Sequence, residues 1–507
     1  MKLNPRFDSF PPPFSGGAKH RGFSRWIIPP IFLAIWGCAV GPNYKPPRIE
    51  SPDQFSEISS ATQPTSAPST QASTPPDYQS WWQTLNDPEL NCLIQRAVRS
   101  NPDVLAAEAR IREARGDRGV AASGLFPQVD AQGSYTHSRD SQNLPGLSAL
   151  TGESGGGSFA VSGLESDLWQ SGFDMTWEVD VFGGTRRALE AANYNVQAAV
   201  WDRRDVLVSL LAEVAVNYIE LRGYQRELDI AQGNLQSQQQ TLDLTRRRAE
   251  GGLVPYLDVA QQEAVVATTS ATIPTFESEV RQTIHHLSIL LGETPGGLSD
   301  ELSTVSPIPV GPACVPPGLP CELLRRRPDV RRAERQLAAA TAEIGVATAD
   351  LFPQFSVTGA LGTESQPLKR LFDYSSRMYD IAPGVTWDIF DAGKVISNVK
   401  VQNARQVEAL EAYRKAVLQC FADVDDSLVA YNHEQVRLQA LRDAVVANQR
   451  ALDLSTELFQ KGSADFLSVL DAQRDLFAAE DSMAQAEQQV SADLVALYKA
   501  LGGGWQQ

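Results

Sequence analysis

Few residues of this sequence stand at spacings that could do chemistry. Five His occur, and only His285 and His286 are neighbours; adjacent positions point to different faces of a helix, so they do not form a ligand pair. HExxH, CxxC and P-loop patterns are absent, and Gly155–Gly157 lacks the Lys-Ser/Thr that follows a phosphate loop. The sequence therefore predicts no enzyme, no cofactor and no metal site. Thiols and carboxylates are what remain. Cys38 ends the stretch "WIIPPIFLAIWGC", which follows Lys19, Arg21 and Arg25. A basic region and then about ten apolar residues form an export signal too short to span a bilayer. A Cys at its end is the thiol that a lipoprotein acylates, with residues 1–37 removed; the alternative is an ordinary secretory signal with an incidental Cys. Export permits disulfides, and Cys314 and Cys321 lie close together in a Pro-rich loop, to be paired or left as two free thiols. Cys92 and Cys420 sit in helical patterns and read as small core residues.

The carboxylates point elsewhere. In "GFDMTWEVDVFGG", Gly172–Gly184, Phe173, Met175, Trp177, Val179 and Val181 alternate with Asp174, Thr176, Glu178 and Asp180. That is the period of a strand with one apolar and one acidic face. Three further segments alternate in the same way. Val129, Ala131, Gly133 and Tyr135 are interleaved with Asp130 and polar residues; Phe355, Val357, Gly359 and Leu361 with Ser356 and Thr358; Tyr379, Ile381, Val385, Trp387 and Ile389 with Asp380 and Asp388. About ten residues per strand, apolar outside, polar inside and aromatic near the ends, is what an outer-membrane β-barrel requires.

Four strands cannot close around anything, and an open edge in lipid leaves backbone groups unsatisfied. Several chains must therefore contribute four strands each. Two chains would give a packed interior and three a water-filled lumen. Unpaired carboxylates are costly in a packed interior, so Asp130, Asp174, Glu178, Asp180, Asp380 and Asp388 argue for water inside. On this expectation the apolar face meets lipid and the acids line a pore. The competing arrangement is a soluble sheet covered by helices. The net charge of −17 argues against nucleic acid as a partner, since phosphate binding needs clustered Lys and Arg. Outside the strands the chain reads as long helix, with no run of eighteen apolar residues.

The elements that hold the strands are duplicated. "NPDV" at Asn101–Val104 recurs as "RPDV" at Arg327–Val330, and "LFPQ" at Leu125–Gln128 recurs at Leu351–Gln354, both offset by 226 residues. "DVFGG" from Asp180 matches "DIFDAG" from Asp388, at an offset of 208, and "GGLVPYLDV" from Gly251 matches "KGSADFLSV" from Lys461, at 210. A Gly/Ser-rich loop, Ser141–Asp167, accounts for the shorter later offset. The organisation expected is a signal (1–37), a lipid-anchored N-terminal tether (38–80), a first repeat (81–304), an extended linker (305–320) and a second repeat (321–507). The first repeat carries strands near 128–138 and 172–182 and long helices within 184–291; the second carries strands near 354–364 and 379–390 and long helices within 394–501. Helices so far beyond 25 residues point to coiled-coil-like packing. The Ser/Thr/Pro/Gln stretch Ser56–Asp77 is the flexible part of the tether.

In this order, "CAVGPNYKPP" at Cys38–Pro47, "PPGLPCELLRRRPDVRRAE" at Pro316–Glu334, "KGSADFLSVLDAQRDLF" at Lys461–Phe477 and "LYKALGGGW" at Leu497–Trp505 resemble the TolC-type outer-membrane efflux factors, in their lipoprotein (NodT-type) branch. The resemblance implies a homotrimer in the outer membrane: a twelve-stranded β-barrel, mainly α below it, with a twelve-helix α-barrel through the periplasm. It implies a periplasmic adaptor protein and an inner-membrane pump of the RND type as partners. It places a Leu467 ring and an Asp471 ring at a periplasmic gate, with Ser468 where some relatives carry a second Asp; the alternative for Asp471 is a solvated helix-face charge. Docking of the adaptor then falls on the hairpin tips, at Gly251, Gly252, Leu253 and Val254 and at Gly462, Ser463 and Phe466, where simple hairpin chemistry would also place Gly and Pro. Cys321 falls at a helix N-cap usually held by Ser or Asp.

The function expected is a passive exit duct for small molecules. An exit duct for type I protein secretion shares the architecture. A non-conducting periplasmic coiled-coil scaffold would show no bilayer conductance, and a helical cell-wall enzyme would need convergent titratable groups that the sequence lacks.

Overall fold

Each half of the chain climbs a helix to a pair of strands and then descends a helix about 100 Å long, 67 residues at 1.5 Å each. A computed structural model describes residues 39–48, 52, 55, 78–139, 165–312, 315 and 320–505. After a 3₁₀ segment, Tyr78–Leu85, the elements are α1 (Pro88–Ser100), α2 (Pro102–Ser123), β1 (Gln128–Arg139), β2 (Glu165–Val179), α3 (Gly184–Glu250), α4 (Tyr256–Leu290) and α5 (Ser299–Leu302). The second half repeats them as α6 (Pro320–Arg326), α7 (Pro328–Ala349), β3 (Gln354–Ser365), β4 (Arg377–Thr386), α8 (Lys394–Gln460) and α9 (Phe466–Ala500).

The duplication holds to the residue. Both descending helices have 67 residues and both returning helices 35. Gly183 and Gly393, each at φ 85°, open α3 and α8; a side chain there would carry the left-handed penalty. Pro102 and Pro328 start α2 and α7, where a missing N–H costs nothing. Trp177 Nε1 donates to Leu125 O and Trp387 Nε1 to Leu351 O, both at 3.2 Å. Each strand pair is thus tied by an indole to its Leu-Phe-Pro turn.

The sheet is antiparallel in the order β1-β2-β3-β4, so β1 and β4 are its edges. Helices beneath follow the same order. In the upper part α2 packs on α3, α3 on α7 and α7 on α8; lower down α4 packs on α3, α3 on α9 and α9 on α8. The layer is therefore open along α2 on one side and α8 on the other, below the two open edges of the sheet. The main core lies midway along the helices, where the 3₁₀ segment, α1 and the C-terminal residues pack on them: Trp81, Trp82, Leu93, Leu211, Tyr218 and Leu497 are buried there. Arg222 of α3, 0% exposed, anchors this belt by donating to Glu89, Gln225 and the Thr304 carbonyl.

Several expectations are revised. β2 begins at Glu165, inside the stretch read as loop, and β4 ends at Thr386. Residues at the start of the expected tether are docked: Val40 N–H donates to Phe182 O, Arg187 holds Val40 O and Asn43, and Tyr44 reaches Glu334. α6 begins at Pro320, so Cys321 lies within its first turn and not at the cap. Cys92 is exposed, because its helical face looks away from the belt, whereas Cys420 is buried as expected. Cys38 and Cys314 fall outside the described residues, as does any Cys314–Cys321 bond.

Candidate functional site

Strand register decides which side chains share a face, because directly paired residues of an antiparallel sheet lie on the same side. One rung is Asp130–Asp174–Ala360–Asp380, so three carboxylates align across the sheet. The other rungs on that face, Gln128–Thr176–Thr358–Ala382, Gln132–Gly172–Gly362–Met378 and Ser134–Gln170–Glu364, are polar or small but for Met378. On the other face the rungs nearer the helices are apolar, Val129–Met175–Gly359–Ile381, Ala131–Phe173–Leu361–Tyr379 and Val179–Phe355–Val385, and the face turns polar toward the far end of the strands, at Gly133–Ser171–Thr363–Arg377, His137–Asp167 and Arg139–Glu165. Of the acids expected in the lining, Asp174 and Glu178 lie in β2 on the polar face. Asp180 does not line it. It lies past the end of β2, where its carboxylate accepts from the Arg186 backbone N–H (2.9 Å) and Nε (3.0 Å) and tethers the first turn of α3. Asp388 likewise stands beyond β4, exposed at the base of the sheet. Glu364 joins the polar face; the alternation at the top of β3 breaks at paired glycines, Gly172 and Gly362, which hid it from sequence reasoning.

At the far end, two hairpin turns close with Gly252 at φ 70° and Gly462 at φ 73°. Gly251, Gly252, Gly462 and Ser463 are exposed, and Leu253 is 71% exposed. Phe466 is not: it is 2% exposed, 5.2 Å from the Phe459 ring. The repeat explains the difference. Position 249 in the first copy, matching Phe459, is Ala, which offers no ring; Tyr256, matching Phe466, is therefore left 71% exposed with Leu257 beside it. The apolar tip is that of the first hairpin, Leu253, Tyr256 and Leu257.

Leu467 and Asp471 share the exposed face of α9 one turn apart, Leu467 at 53% exposure. Asp471 is not bare: Arg474, three residues on, lies 3.2 Å from its carboxylate. This partner was missed because i,i+3 pairs are common on helices and carry no special signal. Asp465 caps α9, accepting from Ser468, and those hydrogen bonds hold its carboxyl below the usual range.

Higher up, the seam between α3 and α9 is polar. Gln473 donates to Thr241 and Asn234 to Glu480. Glu227, 5% exposed, is pushed up to about 7 by burial, with Asp481 adding repulsion and Gln485 partly offsetting it. The folded state thus holds this proton more tightly than the unfolded chain does. The cost of ionising Glu227 is absent below its unfolded value, near 4.5, and fully present above about 7. Glu227→Gln is expected to raise the melting temperature at pH 8 and leave it unchanged at pH 4.5. An equal gain at both pH values would remove the carboxyl from the account.

A sheet with one oily face and one acidic face, unable to close on itself and continued by paired helices of this length, defines one subunit of a membrane exit duct. Comparison with known proteins agrees. The family model described as outer membrane efflux protein matches residues 93–293 and 319–503, and the chain belongs to that family. Nodulation protein T of Rhizobium leguminosarum bv. trifolii is 30% identical over 485 residues, covering 95% of this chain and 98% of that protein. Pyoverdine export outer membrane protein OpmQ of Pseudomonas aeruginosa is 34% identical over 434 residues, covering 85% and 88%. The solved outer-membrane channel OprN superposes with a TM-score of 0.81 at 34% identity, covering 93% of this chain and all of that one. The protein is the outer-membrane channel component of a tripartite efflux system, and its fold is that of one protomer of a trimeric TolC-like channel.

Proposed function

We propose that three copies seal edge to edge into a passive exit duct for small molecules. In this reading the Cys38 thiol is acylated in the outer membrane, and the docked segment 39–48 leads from it to the duct wall. A periplasmic adaptor engages the hairpin tips, and an inner-membrane pump of the RND type supplies the energy. The pyoverdine exporter among its relatives supports small-molecule cargo. The observation that carries the reading is the pair of open edges: β1 above α2 on one side, β4 above α8 on the other, with apolar side chains such as Ile396, Val407 and Leu418 of α8 left exposed in the single chain. Closing β4 of one copy onto β1 of the next would satisfy every strand edge at once.

The internal repeat also supplies a template for that contact. α7 packs on α3 with Gly345 against Arg187: a Cβ on Gly345 would lie 2.8 Å from Arg187 Cγ. Moved by the repeat offsets, this pair becomes Gly119 of α2 and Ser397 of α8, and in the single chain nothing lies within 4 Å of the Cβ position of Gly119. A chain carrying Gly119→Cys and Ser397→Cys is expected to oxidise to a covalent trimer on a non-reducing gel, since a disulfide needs Cα atoms within about 7 Å. Each single variant should stay monomeric on that gel. Failure of the double variant to cross-link, or a ladder running past three chains, would overturn the closed ring.

A further inference from the structure

A cavity of about 680 Å³ between α2 and α3 collects positive charge on an otherwise acidic chain. Arg112, Arg115, Arg203 and Arg204 line it, with Glu108 as its one carboxylate and Trp505 as a wall. Glu108 is committed to Arg203, whose Nη2 lies 2.9 Å away. The Arg204 guanidinium is held between two rings, 4.2 Å from the Trp201 centroid and 4.5 Å from that of Trp505. Those rings fix it in place without neutralising it. Among the described residues no carboxylate reaches ion-pair distance of Arg112, Arg115 or Arg204. Burial and the adjacent Arg203 both make Arg204 costlier to keep charged, and among the described residues only the two indole faces, with no carboxylate, offset that penalty.

The second copy of the repeat is an internal control. The positions matching Glu108, Arg112, Arg115, Arg203 and Arg204 are Glu334, Ala338, Thr341, Tyr413 and Arg414. Three of the four arginines thus have uncharged counterparts in a wall of the same fold. There Ala338, Thr341 and Tyr413 are buried, and Tyr44 reaches Glu334 from the docked N-terminal segment. The architecture does not need the extra charges, and in the single chain the groove that carries them is open where its counterpart is packed.

We propose that this groove is a binding site for an anion bearing two or more phosphate or carboxylate groups. Arg204 presents a preoriented guanidinium at its floor, and Arg112 and Arg115 close over the ligand from α2. Planar guanidinium forks match both phosphate and carboxylate, so the shared chemistry is anionic oxygen. The test uses the full-length trimer in detergent at low salt, titrated calorimetrically with pyrophosphate and, separately, with citrate. Wild type is expected to bind at least one of them, less tightly as salt is raised, because partly exposed charges are screened. Tighter binding of pyrophosphate would assign the site to phosphate, and of citrate to carboxylate. Arg112→Gln/Arg115→Gln is expected to weaken binding by about tenfold or more, the effect of losing two charge-assisted contacts. Arg112→Lys/Arg115→Lys should keep most of the affinity. Arg437→Gln, an exposed change on α8, should keep all of it. Both α2 residues are exposed and unpaired in the single chain, and size-exclusion chromatography of each variant beside wild type checks that the trimer is retained. Absence of binding by wild type, or equal binding by the Gln double variant, would overturn the site.

Discussion

Asp471→Ala is expected to raise the single-channel conductance of the reconstituted trimer. Each protomer presents Asp471 on the exposed face of α9 with Arg474 at 3.2 Å. Around a threefold axis these would make three carboxylates and three guanidinia in one ring, able to exchange partners between neighbours. An exposed pair contributes about 0.2–1 kcal/mol, so three together would bias the closed tip by roughly 0.6–3 kcal/mol. Removing about 1.4 kcal/mol of that bias raises the open-to-closed ratio about tenfold. Arg474→Ala should open the tip at least as readily, since three bare carboxylates near one axis repel one another. In the proposed gate Arg474 would turn a ring that is otherwise electrostatically tense into one that holds itself shut. Leu467, a turn closer to the tip, would form the apolar part of the same constriction. Planar-bilayer recordings at low salt decide the matter: unchanged conductance in both variants would remove the ring from the gate.

The second large effect is on ion preference. Asp130, Asp174 and Asp380 form one rung of the polar face, and three copies would place nine carboxylates at one level of the lumen. Twelve strands spaced about 4.8 Å apart and tilted about 40° make a cylinder of radius roughly 12 Å. Side chains narrow this to a water-filled width comparable with the Debye length of about 10 Å at 0.1 M salt, so the fields of opposite walls overlap. At 1 M, where screening acts within about 3 Å, they do not. The triple change Asp130→Asn/Asp174→Asn/Asp380→Asn is therefore expected to lower the cation-to-anion permeability ratio several-fold at 0.1 M and hardly at all at 1 M, read from reversal potentials in a KCl gradient. The substitutions keep size and polarity, so assembly should be unaffected. A ratio that stays at the wild-type value in 0.1 M salt would show that this rung does not face the ion path.

Much of this was legible in the order of residues. Alternation with period two put an oily and a polar side on each strand, and the pairing register brings those sides together over the half of the sheet nearer the helices. The repeat of Leu-Phe-Pro, of the helix-opening glycines and of the hairpin tips fixed the number of elements and helix lengths to within a few residues, because Gly and Pro act locally on the backbone. Strand ends were less legible. Trp387 continues the apolar alternation of β4, yet the ladder stops at Thr386 and the indole donates to Leu351 O. Asp180 keeps the period of β2, yet is pulled away by Arg186.

Composition and periodicity by themselves determined that this chain brings four amphipathic strands and two long helical hairpins, and that so small a sheet cannot seal itself from lipid. Those properties follow from which atoms lie within a few residues of one another. Only the tertiary structure decided that Phe466 is buried while Tyr256 is exposed, that Asp471 carries Arg474, that residues 39–48 lie along the helices, and that four arginines from two helices share one groove. Each depends on what stands across a packed interface, a Phe459 ring where the other copy has Ala249, or a helix more than 80 positions away. No local pattern in the chain records those neighbours.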